Sequence, residues 1–83
     1  MTSDQTRGTT FGEKAVGLTF NPGGDPLVDK VKRLYAEIID LCNDPQQDGG
    51  ATAMNGERVR LFKIAITEAQ GAQMWAVKAI TWK

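Results

Sequence analysis

In the C-terminal stretch Arg60, Lys63, Thr67, Gln70, Gly71, Met74 and Lys78 recur every three or four residues and share one side of a helix. Three cations, a hydroxyl and an amide in one row suit a phosphate-bearing ligand, since each supplies a donor to phosphate oxygens. A glycine inside a helix costs about 1 kcal/mol relative to alanine, and close approach of a ligand or neighbouring helix would give Gly71 a purpose. A solvated polar face with one packing glycine accounts for the same row.

Phe20-Asn21-Pro22 is a second candidate. An aromatic ring on an irregular segment can stack on a purine, and an asparagine amide pairs a donor with an acceptor, as reading a base edge requires. The alternative is a hydrophobic latch that pins the segment to a helix. Lys32 and Arg33 complete the candidate ligand-binding set, because an arm folded back on their helix lies within their reach.

Catalysis finds little support. The chain has no His, Ser3 is its only serine, no glycine-rich phosphate loop follows a strand, and no carboxylate pair sits in an apolar setting. The one odd acid is Glu68, within an otherwise apolar seam. The single cysteine, Cys42, cannot close an internal disulfide, and without His or a second Cys a zinc site lacks ligands. We expect no enzyme, no cofactor and no metal.

The net charge is +0, with 10 basic and 10 acidic residues, so the long-range field that draws proteins onto duplex nucleic acid is absent. The halves differ: residues 1–44 carry five basic and seven acidic side chains, and 45–83 carry five and three. An anion site therefore draws mainly on the second half. No run reaches the ~18 apolar residues of a membrane span, and the first residues lack the regions of a signal peptide. The expectation is a cytoplasmic protein that binds no membrane.

Positioning falls to helices. Residues 1–9 are polar and aperiodic, which reads as a disordered or loose terminus. Thr10-Phe11-Gly12-Glu13 has the form of a capping box for a short helix to about Val16, ended by Gly17. Leu18 to Pro22 reads as extended chain and Gly23-Gly24 as a turn, completing an arm over 10–24. Asp25 caps a first helix over 25–43, with Pro26 at its first position. Its apolar face (Leu27, Val28, Val31, Leu34, Tyr35, Ile38, Ile39, Leu41, Cys42) opposes Lys30, Lys32, Arg33, Glu37 and Asp40. A breaker-rich loop occupies 44–55, and a long helix 56–82.

That long helix carries two apolar seams. One is Val59, Phe62, Ile66, Ala69, Gln73, Ala76 and Ile80; the other is Leu61, Ala65, Glu68, Ala72, Trp75, Ala79 and Trp82. One seam can bury within the protomer, and the other asks for a second chain, since 83 residues make a core of only a few kcal/mol. The fold class is all-α, an antiparallel helical hairpin with a short N-terminal arm, oligomeric. The longer helix overruns the first, so Phe20, Asn21 and Pro22 should meet Trp75, Lys78 and Trp82, within a chain or across a dimer.

The order LTFNP, then DPLVDKVKRLYAEIIDLCND, a Gly-rich loop and ERVRLFKIAITEAQGAQMWAVKAITWK resembles the helical-hairpin domain of phage anti-CBASS and anti-Thoeris sponge proteins. The resemblance spans about residues 17–82 and is strongest at Phe20-Asn21-Pro22 and over Glu68 to Ile80. It implies a small phage protein, dimer to hexamer, in the host bacterial cytoplasm. Such a protein sequesters cyclic di- and trinucleotides or cyclic ADP-ribose isomers, inhibiting CBASS or Thoeris defence without cleaving the messenger. The family's arm usually reads aromatic-His-Pro, and Asn21 stands here at the His position, which leaves the ligand's identity open. The second reading, from another class, is a structural or adaptor hairpin whose extra seam only docks partner proteins.

Overall fold

The computed structural model describes residues 9–44 and 56–83, which form three helices: α1 (Phe11–Val16), α2 (Pro26–Asn43) and α3 (Gly56–Ile80). The loose terminus expected over 1–9 and the loop expected over 44–55 lie, but for Thr9 and Asp44, outside those residues.

Local chemistry starts and stops each element. Thr10 accepts the Glu13 N–H and Glu13 accepts the Thr10 N–H, both at 3.1 Å, so the capping box closes reciprocally. Gly17 ends α1 in the left-handed conformation (φ 64°), and the Leu18 N–H returns to the Glu13 carbonyl at 3.0 Å. At the start of α2 the Asp25 carboxylate accepts the Leu27 N–H at 2.8 Å, and Pro26 occupies the first turn, where no N–H is needed. The long helix stops at Ile80, two residues before the expected 82, and the Thr81 hydroxyl turns back onto the Val77 carbonyl at 2.9 Å.

α2 and α3 run antiparallel. Ile39 (0% exposed), Ala36 and Val16 form the buried centre, with Ile66 and Ala69 of α3 packed against it. Full burial of a side chain such as Ile39 contributes about 1.5–3 kcal/mol, so this small centre carries much of the protomer's stability. On α3 the seam from Val59 to Ile80 is the inward one, and every residue of the seam from Leu61 to Trp82 is exposed.

The broad apolar face of α2 is likewise divided. Val28, Ala36 and Ile39 are buried, whereas Leu27, Leu34, Ile38 and Leu41 stay about half exposed. On each helix the uncovered stripe lies about 100° behind the inward one, and in an antiparallel pair that offset points both stripes to one side of the hairpin. α1 lies against the other side, where Gly12 meets Ala36 and Asp40 of α2.

The polar face of α2 departs from expectation. Lys32, predicted to face solvent, is 5% exposed, and Asp40 is partly buried. Spaced eight residues apart about Ala36, both are covered by α1 and hold its backbone: the Asp40 carboxylate accepts the Gly12 N–H at 2.7 Å, and the Lys32 ammonium donates to the Gly17 carbonyl at 3.0 Å. A helix-wheel reading has no access to those partners, which come from a segment distant in the chain.

Candidate functional site

Between α1 and α2 the chain makes two consecutive turns, the first where extended backbone was expected and the second at the turn expected for Gly23-Gly24. The Phe20 N–H bonds the Gly17 carbonyl at 2.9 Å, and the Gly24 N–H bonds the Asn21 carbonyl at 3.0 Å. Lys32 accounts for the first turn, because its ammonium also donates to the Phe20 carbonyl and so gathers two arm carbonyls at one cation. The same nitrogen sits 5.5 Å from the centre of the Phe20 ring, which is 71% exposed. An ammonium has three donors, so one N–H remains after the two carbonyls are served.

The overrunning end of α3 closes a cleft of about 520 Å³ against this arm. Phe20, Asn21, Pro22 and Lys32 form one side, and Val77, Ile80, Thr81, Trp82 and Lys83 the other, with Val28 and Asp25 at the start of α2. Apolar walls with a few convergent polar groups are the usual make-up of a small-molecule site, and this volume suits a nucleotide-sized ligand. Lys32 only completes the candidate set in the sequence; its burial beside the aromatic makes it the central cation here.

Asn21 does something other than offer an unengaged amide. Its Nδ2 donates to the Asp25 carbonyl at 3.0 Å and its Oδ1 accepts the Asp25 N–H at 3.3 Å. The amide thus braces the entry to α2, leaving one N–H and one lone pair for any ligand.

Within one chain the polar row of α3 is not continuous with this cleft. Arg60, Lys63 and Thr67 border one open depression with Ile64 and Glu68; Gly71, Met74, Trp75 and Lys78 border another, and Gln70 borders neither. Arg60 is engaged by Glu57 through contacts of 3.0 and 2.7 Å; the hydrogen bond holds the Glu57 carboxyl below its usual range and raises Arg60. Arg33 is held by Asp29 at 2.8 Å, and that hydrogen bond raises its pKa. The Thr67 hydroxyl donates to the Lys63 carbonyl at 3.2 Å.

Lys78, expected beside Phe20 and Asn21, instead lies over Trp75 at 5.5 Å and Trp82 at 5.8 Å. Of the overhang residues expected to meet the arm, Trp82 lines the cleft; Trp75 and Lys78 do not. The end of α3 at Ile80 explains the split: Trp82 follows the helix and is not tied to the face that carries Trp75 and Lys78, whereas within the helix the cleft takes the face bearing Val77 and Ile80. A methyl group added to Gly71 would meet no neighbour within 4 Å, so nothing among the described residues uses this residue's smallness. Gly71→Ala is therefore expected to raise the isolated chain's stability by about 0.5–1 kcal/mol, read as a higher denaturant midpoint. A lowered midpoint would show that another body packs on this glycine.

A family model described as "Acb2/Tad1, hairpin domain" matches residues 13–81. The chain belongs to that family. It is the family of anti-CBASS and anti-Thoeris sponges, and the matched span holds both walls of the cleft up to Thr81. No curated protein and no solved structure matches the chain. Sequence reasoning missed several cleft residues of this Acb2/Tad1 hairpin: Asp25, Val28, Val77, Ile80, Thr81 and Lys83. Val28 and Ile80 were legible as apolar positions, and the overrun of α3 placed its end beside the arm. Which face turned inward there was the missing signal.

Proposed function

We propose that this hairpin is a phage-encoded sponge that binds cyclic nucleotide immune second messengers in the host bacterial cytoplasm without cleaving them, and so inhibits CBASS or Thoeris defence. Its ligands are cyclic di- or trinucleotides or cyclic ADP-ribose isomers. One observation carries the reading beyond family membership: the cleft pairs an exposed aromatic ring, Phe20, with a buried ammonium, Lys32, and a nucleotide offers a base to the first and a phosphate to the second.

A homo-oligomer, dimer to hexamer, is part of the proposal. The apolar stripes of α2 and α3 that share one bare side of the hairpin support it, as does the exposure of Trp75 at 70% and Trp82 at 72%. The polar row of α3 joins the site in this reading when a second protomer brings it to the arm. That bare side also favours the adaptor reading, in which it docks a different protein.

The test is to incubate the protein with a panel of cyclic oligonucleotides and ADP-ribose isomers, heat-denature it and assay the supernatant. A sponge releases intact ligand; an adaptor releases none, and a hydrolase releases fragments. Phe20→Ala is expected to weaken binding by about 1–3 kcal/mol, the worth of one base–aromatic stack, with solution mass by light scattering unchanged. Loss of helicity and mass with affinity per folded site retained would assign Phe20 to a structural latch.

A further inference from the structure

Asp25 is the one acidic residue among those lining a cleft proposed to receive a phosphate. Asp25 lines the cleft with Phe20, Asn21 and Lys32, and repels any phosphate that enters. Its role as helix cap, with Oδ1 accepting the Leu27 N–H at 2.8 Å, does not require the charge, because Ser, Thr and Asn cap comparably. Among the described residues Asp25 is in no ion pair. Its backbone is held on both sides by the Asn21 amide, at 3.0 and 3.3 Å, so the residue is anchored beside the arm.

An ionised carboxylate only accepts hydrogen bonds, and each oxygen accepts two, so capping leaves most of its capacity unspent. The group it meets must present donors. A base stacked on the Phe20 ring projects its edge sideways, and among the bases only guanine sets two adjacent N–H donors, N1–H and N2–H, on its Watson–Crick edge. Adenine offers one donor next to an acceptor, and uracil one donor between two carbonyls; each sets a lone pair against the carboxylate. Resting on the sequestering function proposed above, we infer that Asp25 makes this cleft selective for a guanine-containing messenger, accepting the guanine edge while Phe20 stacks on its face and Lys32 holds a phosphate.

The experiment is calorimetry on the full chain with cyclic di-GMP and cyclic di-AMP, for wild type and Asp25→Asn. Asparagine keeps the cap but removes the charge and replaces one acceptor by a donor. Wild type is expected to bind cyclic di-GMP about tenfold or more tightly than cyclic di-AMP, and Asp25→Asn to bring the two within about threefold by weakening cyclic di-GMP alone. The wild-type ratio needs no variant to fold. Equal wild-type affinities overturn the guanine assignment and leave the sequestering function standing. Equal weakening of both ligands by Asp25→Asn also overturns it, in favour of a shared group such as a ribose hydroxyl. Failure to bind either dinucleotide overturns the assignment, and intact release of any other panel member still upholds sequestering.

Discussion

Gly12→Ala is expected to undock α1 and to be among the most damaging single substitutions in the chain. An added methyl would lie 2.1 Å from the Ala36 carbonyl oxygen and 2.9 Å from both its carbon and Asp40 Oδ1. Two of those atoms are helix backbone, which cannot rotate aside, so α1 must retreat. Retreat also breaks the Gly12 N–H to Asp40 bond, 2.7 Å long and charge-assisted. Overpacking of this kind costs about 1–3 kcal/mol, and loss of a hydrogen bond to a charged group about 1.5–3 kcal/mol. In a domain this small either is a large share of the total.

Thermal melting by circular dichroism should show a midpoint lowered by several degrees, and trypsin should cut sooner at Lys14 in α1. Gly17, whose carbonyl holds Lys32, moves with α1, so ligand affinity falls as well. A midpoint within about 2 °C of wild type would show that α1 is not anchored here.

Lys32→Met should abolish most ligand binding at modest cost to the hairpin. Methionine keeps the aliphatic volume in a site that is 5% exposed, while the Gly17 and Phe20 carbonyls lose their shared donor. Two effects then add. The arm loses the cation that fixes its first turn, and the cleft loses its one buried positive charge. Removing a charged hydrogen-bond partner costs about 1.5–3 kcal/mol, so affinity for the best panel ligand is expected to fall roughly 10- to 150-fold. Calorimetry reads the affinity, and amide exchange at Phe20 in ligand-free protein reads the arm. Binding within about twofold of wild type would remove Lys32 from the site.

Much of the fold was legible in local patterns. Four residues, Thr10 to Glu13, announced α1; Asp25 and Pro26 announced α2; and the two seams of α3 could be read from their spacing, though not which of them turns inward. What escaped was set by partners remote in sequence. Lys32 and Asp40 read as a solvated face because their acceptor and donor belong to α1 and the arm. The arm read as extended because the cation that folds it lies 12 residues beyond Phe20. For the candidate site, Phe20, Asn21 and Pro22 line the cleft, whereas the cations of α3 read as one row are dispersed by pairing to Glu57 and by stacking on Trp75 and Trp82.

The clasp at Lys32 also bears on timing. A protein whose proposed task is to remove a signal competes with the receptor for the same molecules, and the faster captor prevails while the signal is scarce. An arm that must first order itself lowers the fraction of encounters that succeed. Here the first arm turn, the Phe20 carbonyl and the entry to α2 are already tied to Lys32 and Asn21 before any ligand arrives. A sponge with such an arm would be limited in capture by diffusion and orientation, and would gain extra affinity through slower release.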